Sequence, residues 1–221
     1  MMTFMASPSN QLQSYLVSGM PVLVSFANWR KWMDDYMSTY SHLLLDSGAY
    51  SVINSGATID IHRYKDWYQR WEGTAVAIAG LDDISGDWKK SLAHYKHGGF
   101  PTIHSTDPPE LLPELLSIAQ ERNNWLGIGI KPPRQGHRVW LEKILSRIPK
   151  SIHVHGWALR SYQDMGGFDS MDSTSWWTTA YAVKKKFPYL TYAECLEIVI
   201  KKYKRQSVSE SEDTLFGEEE L

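Results

Sequence analysis

Aspartates, a residue type that can carry catalysis, stand at or near the ends of two predicted strands. The segment 43–45 consists of three leucines, and Asp46 follows it directly. A second segment, 168–173, contains Asp169 and Asp172. An acid beside a buried strand costs free energy unless it has a partner or a role. Two such carboxylates could serve as nucleophile and acid/base in a displacement at a sugar carbon.

Asp46 is expected to titrate above the ordinary aspartate range. The three leucines before it predict a desolvated position, and desolvation disfavours the charged form of a carboxyl group. Its pKa should therefore exceed the ordinary value of about 3.9, which would suit a group that transfers protons.

Polar residues and glycines follow most of the other apolar segments. Further candidates for binding a substrate are Ser47, Gly48, Asp82, Asp83, His104, Gly127, Gly129, Lys131 and His155. For any one acid, capping a helix or anchoring a loop is an equally open role. His104, His153 and His155 could instead bind a metal with the acids, although no second histidine pair complements His153-Val154-His155. The two glycines could cradle a phosphate or lie against a flat ligand.

Eight short apolar segments alternate with amphipathic ones, and this alternation indicates the fold. The predicted strands are 3–6, 21–26, 42–46, 75–81, 101–104, 125–130, 151–154 and 167–171. The predicted helices are 9–17, 29–40, 60–71, 85–97, 109–122, 139–147, 158–165, 173–187 and 191–204, with Asp60 as an N-cap. Eight strand–helix repeats predict an α/β protein with a compact (β/α)₈ TIM barrel. A doubly wound open sheet is the alternative. In a barrel the candidate residues would share the rim formed by the carboxyl ends of the strands.

Charge and composition divide the chain further. We expect a barrel over 1–190, a helix packed on it over 191–206, and a disordered acidic tail over 207–221. The tail holds six of the 25 acids, so residues 1–206 carry 19 acids against all 23 bases. Basic clusters at 131–138, 184–186 and 201–205 are solvated helix faces or a footprint for a phosphate backbone. A single cysteine and the absence of a long apolar run favour a cytoplasmic protein without disulfides.

Several of these segments resemble the tRNA-guanine transglycosylases. The closest resemblance is to their short phage and bacterial relatives, which insert 7-deazaguanines into DNA and lack the zinc subdomain. The family motifs Asp-Ser-Gly-Gly-Phe, Phe-Asp-Glu, Val-Gln-Gly, Val-Gly-Gly and Gly-Val-Asp-Met-Phe-Asp are similar, in that order, to 46–50, 81–83, 103–105, 126–129 and 167–172. The zinc-binding Cys-x-Cys-x-x-Cys…His motif is missing, since Cys195 stands alone. Ala49 and His104 replace the second glycine and the glutamine of the family pattern.

The resemblance implies a (β/α)₈ barrel that exchanges bases by double displacement without a cofactor. Asp172 would attack C1′ of a flipped-out guanosine, and Asp46 would take the N9 proton of an incoming 7-deazaguanine such as preQ0. Asp169 is the alternative nucleophile. Lys131 or His155 would keep Asp172 ionised.

The same resemblance implies how the base is bound. Asp82, with Asp83 as alternate, would accept hydrogen bonds from the base. Gly127 and Gly129 would let backbone groups approach its edge, and Tyr50 or Trp157 would stack on it.

The loss of the zinc subdomain favours DNA over tRNA as the partner. Three alternatives remain open at this point: the same exchange on tRNA, a non-catalytic barrel subunit, and a metal-dependent barrel hydrolase.

Overall fold

Eight parallel strands form one curled sheet, in which neighbouring strands are consecutive in the sequence except that β1 lies beside β8. The computed structural model describes residues 1–53, 57–83, 85–130 and 137–212. The strands are β1 (Met2–Ala6), β2 (Pro21–Ser25), β3 (His42–Asp46), β4 (Ala75–Ile78), β5 (Thr102–His104), β6 (Trp125–Gly129), β7 (His153–Trp157) and β8 (Ser170–Ser173). They lie in the order β4-β3-β2-β1-β8-β7-β6-β5, and every ladder is parallel.

The two edges of this sheet meet in one parallel bridge. Ala79 pairs with Phe100, the Phe100 N–H donates to the Ile78 carbonyl (2.7 Å), and the Gly80 N–H donates to the Phe100 carbonyl (2.8 Å). The strand order contains no reversal point of the kind that defines a doubly wound sheet. The architecture is an α/β fold consistent with a TIM-like (β/α)₈ arrangement.

Alternation along the strands separates an inner layer from an outer one. On β3, Leu43 and Leu45 pack in the cluster under the helices, whereas Leu44 packs with Phe4 and Phe100 in a separate central cluster. Successive side chains of a strand point to opposite faces, so Asp46 shares the inner face with Leu44. The same reasoning applies to β8, where the outer residue is Met171 and its neighbours on both sides point inwards.

Most of the predicted helices are present with shifted ends. They are α1 (Gln11–Leu16), α2 (Ala49–Ile53), α3 (Ile61–Gln69), α4 (Trp88–Tyr95), α5 (Leu112–Glu121), α6 (His137–Leu145), α7 (Ser175–Lys186) and α8 (Tyr192–Glu212). Asp60 caps α3, accepting from the backbone N–H groups of His62 (2.8 Å) and Arg63 (3.1 Å), so this prediction is confirmed.

The prediction of a helix over 29–40 is wrong. This segment forms two 3₁₀ turns, Lys31–Asp35 and Met37–Thr39. Its Asp, Ser, Thr and aromatic residues have weak helix propensity, and Asp34 accepts a hydrogen bond from the Trp29 indole (2.7 Å) instead. The segment 158–165 also lacks an α-helix and contains a 3₁₀ helix over Arg160–Met165. The sequence did not predict α2.

The last two strands begin later than predicted. Residues 151–152 belong to a turn in which the Ile152 N–H donates to the Pro149 carbonyl (3.0 Å), and β7 starts at His153. Gly166 and Gly167 have φ values of +69° and +76°, which hold the chain in a turn ahead of β8. The shift moves Asp172 into β8 and leaves Asp169 before it.

The C-terminal helix is longer than expected. Cys195, Leu196, Val199 and Ile200 of α8 are buried in the same cluster as Val22 of β2. The helix continues to Glu212. Gln and Glu have a good helix propensity, and no Gly or Pro occurs between residues 192 and 212. Residues 213–221 lie outside the described part. Within the described residues, no helix is long and apolar enough to cross a membrane.

Candidate active site

Asp46 lies on the inner face at the carboxyl end of β3. It stands opposite Ser25 in the β2–β3 ladder, and the Gly48 N–H donates to its Oδ2 atom (2.9 Å). Gly48 has φ +76°, and a Cβ at this position would lie 2.2 Å from the Ser25 Oγ atom. The Asp-Ser-Gly turn therefore needs glycine here, both for its backbone angle and for its packing.

The surroundings of Asp46 disfavour its charged form. Burial raises the pKa of Asp46 to about 7, and the negative charges of Asp172 and Asp82 add to this shift. Hydrogen bonds from the Gly48 and Ser47 backbone act in the opposite direction but are outweighed. The expected upward shift of the Asp46 pKa is confirmed. Because the charges of Asp82 and Asp172 contribute to it, the three carboxylates, which follow three different strands, lie in one site.

Asp172 receives a hydrogen bond from a strained backbone position. The Ala158 N–H donates to its Oδ1 atom (2.7 Å), and Ala158 has φ +53°, a conformation that costs a non-glycine residue about 1–2 kcal/mol. His155 Nε2 lies 3.7 Å from the same oxygen. The Ala158 N–H is thus a partner of Asp172 that was not predicted from the sequence, and Lys131 lies outside the described residues.

Asp82 belongs to a chain of buried polar groups. Its Oδ1 atom accepts a hydrogen bond from the Tyr95 hydroxyl, and its Oδ2 atom lies 3.5 Å from His104 Nε2. The other ring nitrogen of His104 lies 3.5 Å from Asp107, whose Oδ2 atom also accepts from the His104 N–H (2.8 Å). Tyr95 and Asp107 were not predicted from the sequence to belong to this site. Asp107 stands three residues after His104, a spacing typical of a turn-anchoring acid.

Asp83 anchors a loop instead of joining this chain. Its N–H donates to Ser91 Oγ (2.8 Å), its Oδ1 atom accepts from the Ser85 N–H (2.9 Å), and Lys90 lies 3.7 Å from its Oδ2 atom. The structure thus ties Asp83 to α4, whereas Asp82 turns towards His104.

Two expected base-binding glycines face side chains of the protein itself. A Cβ at Gly127 would lie 2.4 Å from the Trp157 Nε1 atom, whose N–H donates to Thr102 Oγ1 (3.0 Å). A Cβ at Gly129 would lie 2.7 Å from the His104 ring. The space over both glycines is occupied by these rings, contrary to the expectation of an open cradle. This packing could not be read from the sequence because it depends on which strands are neighbours.

Three other candidates differ in position: Asp169 lies away from the three carboxylates, Ser47 follows Asp46 in the turn, and Tyr50 is exposed. Asp169 precedes β8 at the amino end of the sheet, where its Oδ2 atom accepts from the Val154 N–H (2.7 Å). Ser47 is buried, and its Oγ atom accepts from the Ala49 N–H (3.2 Å), which stabilises the turn after Asp46. Tyr50 is 74% exposed.

A cleft of about 330 Å³ lies at the opposite end of the sheet. Its lining includes Ala75, the first residue of β4, and residues that precede strands: Glu72 before β4, Gly98 and Gly99 before β5, and Arg122 before β6. It does not reach the three carboxylates. Among the described residues, no group of three His, Cys, Asp or Glu side chains is arranged to hold a metal ion.

Comparison with known proteins adds a single distant likeness. No protein-family model matches the chain, and no curated protein is similar to it. Among solved structures, it is similar to the X-ray crystal structure of the YdjI aldolase from Escherichia coli K12, with 7% sequence identity and a TM-score of 0.37. That match covers 94% of this chain and 90% of the aldolase chain.

Proposed function

We propose that this protein is an enzyme that exchanges guanine in DNA for a 7-deazaguanine of the preQ0 type. Two carboxylates act in turn on one glycosidic carbon, with Asp172 as the nucleophile and Asp46 as the proton-transfer group. The motif resemblance suggests the reaction, and the environments of the two carboxylates support the division of roles.

The observation that carries the proposal is the difference between these two environments. Asp46 accepts a backbone hydrogen bond from Gly48, but burial and two neighbouring carboxylates raise its pKa to about 7. Asp172 accepts the Ala158 N–H and also faces His155 Nε2 at 3.7 Å. An acid/base group works best when its pKa lies near the working pH. A nucleophilic carboxylate must be ionised. Neighbouring carboxylates with opposed environments are a recurring sign of such paired roles.

The first displacement forms a covalent glycosyl ester. A carboxylate oxygen of Asp172 attacks C1′ of the target nucleotide, the C1′–N9 bond breaks, and its electron pair stays with guanine. Protonated Asp46 neutralises the departing base at N9. Because the site lies on the inner face at the carboxyl ends of the strands, the nucleotide must leave the duplex stack to reach it.

The second displacement restores both carboxylates to their starting states. Ionised Asp46 takes the N9 proton of the incoming 7-deazaguanine, N9 attacks C1′, and the ester bond to Asp172 breaks. Two inversions give net retention at C1′.

Base recognition falls to Asp82 and the aromatic surface beside it. The Asp82 carboxylate would accept hydrogen bonds from the N1–H and amino groups of the base. Since Trp157 covers Gly127, the base would stack on the Trp157 ring in place of the glycine backbone. Lys201 and Lys202 of α8 precede Tyr203, whose hydroxyl contacts Ser175 just after β8, and these two lysines would contact phosphates by charge.

A base-exchange assay tests the proposal. The protein is incubated with radiolabelled guanine or preQ0 and, separately, duplex DNA and tRNA, and label in the polymer is counted. We expect incorporation into DNA that is lost in Asp172→Asn and retained in Asp169→Asn, a matched change at the opposite end of β8. A covalent adduct should be trapped with the second variant and not with the first.

Each other result has a distinct meaning. Label in tRNA alone would transfer the proposal to the tRNA substrate. No label in either polymer, or full activity in Asp172→Asn, would refute the exchange mechanism.

A further inference from the structure

A buried serine joins two histidines directly behind the proposed nucleophile. Ser170 Oγ lies 2.7 Å from His153 Nε2 and 2.9 Å from His155 Nδ1. Ser170 and His155 are both 0% exposed. Among the described residues, the other ring nitrogen of His155, Nε2, has no hydrogen-bond partner and lies 3.7 Å from Asp172 Oδ1. The four side chains form a continuous row along the inner faces of β7 and β8.

The serine hydroxyl has a single proton, and this limits the directions that the hydrogen bonds along this row can take. A hydroxyl donates one hydrogen bond and can accept others, so Ser170 cannot donate to both histidines. If Ser170 donated to His153, then His155 Nδ1 would carry the proton and its Nε2 lone pair would face the Asp172 carboxylate. Two acceptors would then face each other at 3.7 Å, with the His155 nitrogen buried and left without a partner, which is unfavourable.

The opposite polarity removes this conflict. His153 Nε2–H donates to Ser170, and Ser170 O–H donates to His155 Nδ1. His155 Nε2 then carries the proton and points it at Asp172. Burial lowers the pKa of His153, outweighing the charge of Asp169, which keeps that ring neutral with one proton to give.

We infer that Ser170 and His153 are positioning residues that hold His155 in the Nε2–H form facing the proposed nucleophile. The inference rests on the proposed function in that Asp172 is the reacting carboxylate. At 3.7 Å the N–H does not hydrogen-bond Asp172, so it leaves the resting carboxylate free to attack. The His155 N–H would stabilise Asp172 most when the ester breaks in the second displacement, because full negative charge then returns to the carboxylate.

Nuclear magnetic resonance of the full chain reports the tautomer without any substrate. The protein is labelled with ¹⁵N-histidine, spectra are recorded at pH 8, and the His155 signals among the eight histidines are assigned with His155→Gln. We expect a protonated Nε2 and an unprotonated Nδ1 in the parent protein. In Ser170→Ala this preference should be lost, whereas Ser14→Ala, a buried serine on α1, should leave it unchanged.

A second variant covers the case in which Ser170→Ala does not fold. His153→Phe keeps an aromatic ring against Trp125, on which His153 stacks at 3.6 Å, and removes the donor. It should weaken the same preference, while His153→Gln, which retains an N–H donor, should preserve it. A protonated Nδ1 in the parent protein would overturn the inference, and so would an unchanged Nε2–H form in both Ser170→Ala and His153→Phe.

Kinetics then separate this inference from the proposed function. Loss of one hydrogen bond beside a charged group should lower kcat in Ser170→Ala about tenfold, with KM within about twofold. The expected tautomer without any base exchange would leave the hydrogen-bond order standing and refute the exchange reaction. The expected tautomer with full kcat in Ser170→Ala would refute the catalytic part of the inference.

Discussion

Replacing Asp46 with asparagine should make the protein more stable at alkaline pH while abolishing exchange. Asn keeps the shape of the side chain and an oxygen that can accept from the Gly48 N–H. It removes the negative charge that burial, Asp172 and Asp82 disfavour. The variant therefore separates the cost of this carboxylate in the folded protein from its use in the reaction.

The magnitude follows from the pKa. The folded protein holds the Asp46 proton until about pH 7, whereas the ordinary value is 3.8. At about 1.4 kcal/mol per pKa unit, ionising Asp46 costs the folded state about 4 kcal/mol. The side chain is partly exposed, so solvent screening makes this an upper bound.

The sign of the pH dependence is set by which state binds more protons. Between pH 3.8 and about 7 the folded state retains a proton that the unfolded state has lost. Stability from this group is therefore complete below about pH 4 and is lost as the pH rises through 7. Asp46→Asn should match the parent near pH 4 and exceed it by up to about 4 kcal/mol at pH 8.

Denaturant unfolding at pH 4, 6 and 8 measures this difference directly. Asp66→Asn on α3 serves as the control, because Asp66 is an exposed aspartate. Its free energy of unfolding should parallel that of the parent at each pH. Equal slopes with pH for Asp46→Asn and the parent would refute a pKa near 7, and retained base exchange in Asp46→Asn would refute its proton-transfer role.

Three backbone positions near the site give further predictions. Gly48→Ala should lower the free energy of unfolding by about 2 kcal/mol or more, because its Cβ would lie 2.2 Å from Ser25 Oγ at a positive φ; an unchanged denaturation midpoint would contradict the turn geometry. Ala158→Gly should stabilise the protein by up to about 1 kcal/mol in thermal unfolding, since it relieves a φ of +53° and keeps the N–H that Asp172 accepts; a lower melting temperature would count against this strain. Gly127→Ala should cost about 1–3 kcal/mol in denaturant unfolding because it displaces Trp157, and no loss would show that the ring has room to move.

The positions of the two carboxylates could be predicted because they depend on local pattern. Three leucines identify a strand buried on both faces, and a period of two places Asp46 on the face of the middle leucine. Eight such segments alternating with helices are enough to order the strands. The end points of β7 and β8 were predicted less well because a turn containing Gly166 and Gly167 sets where β8 begins.

What fills the interior could not be predicted, because it depends on contacts between strands. Trp157 lies over Gly127, which neighbours it in space and is 30 positions away in sequence. The pattern Gly127-Ile128-Gly129 is the same whether the missing side chains make room for a ligand or for a tryptophan and a histidine. Likewise, Asp169 and Asp172 are close in sequence, yet Asp169 precedes β8 whereas Asp172 lies within it.

Asp46 and Asp172 share a kind of backbone contact and differ in their surroundings. Both carboxylates accept a main-chain hydrogen bond from a residue with a positive φ, Gly48 for Asp46 and Ala158 for Asp172. For Asp46 this bond is outweighed by desolvation and two neighbouring charges. At Asp172 the Ala158 N–H is joined by His155 Nε2, which lies 3.7 Å from the same oxygen. The two carboxylates therefore sit in different surroundings, and the proposed division of roles rests on that difference.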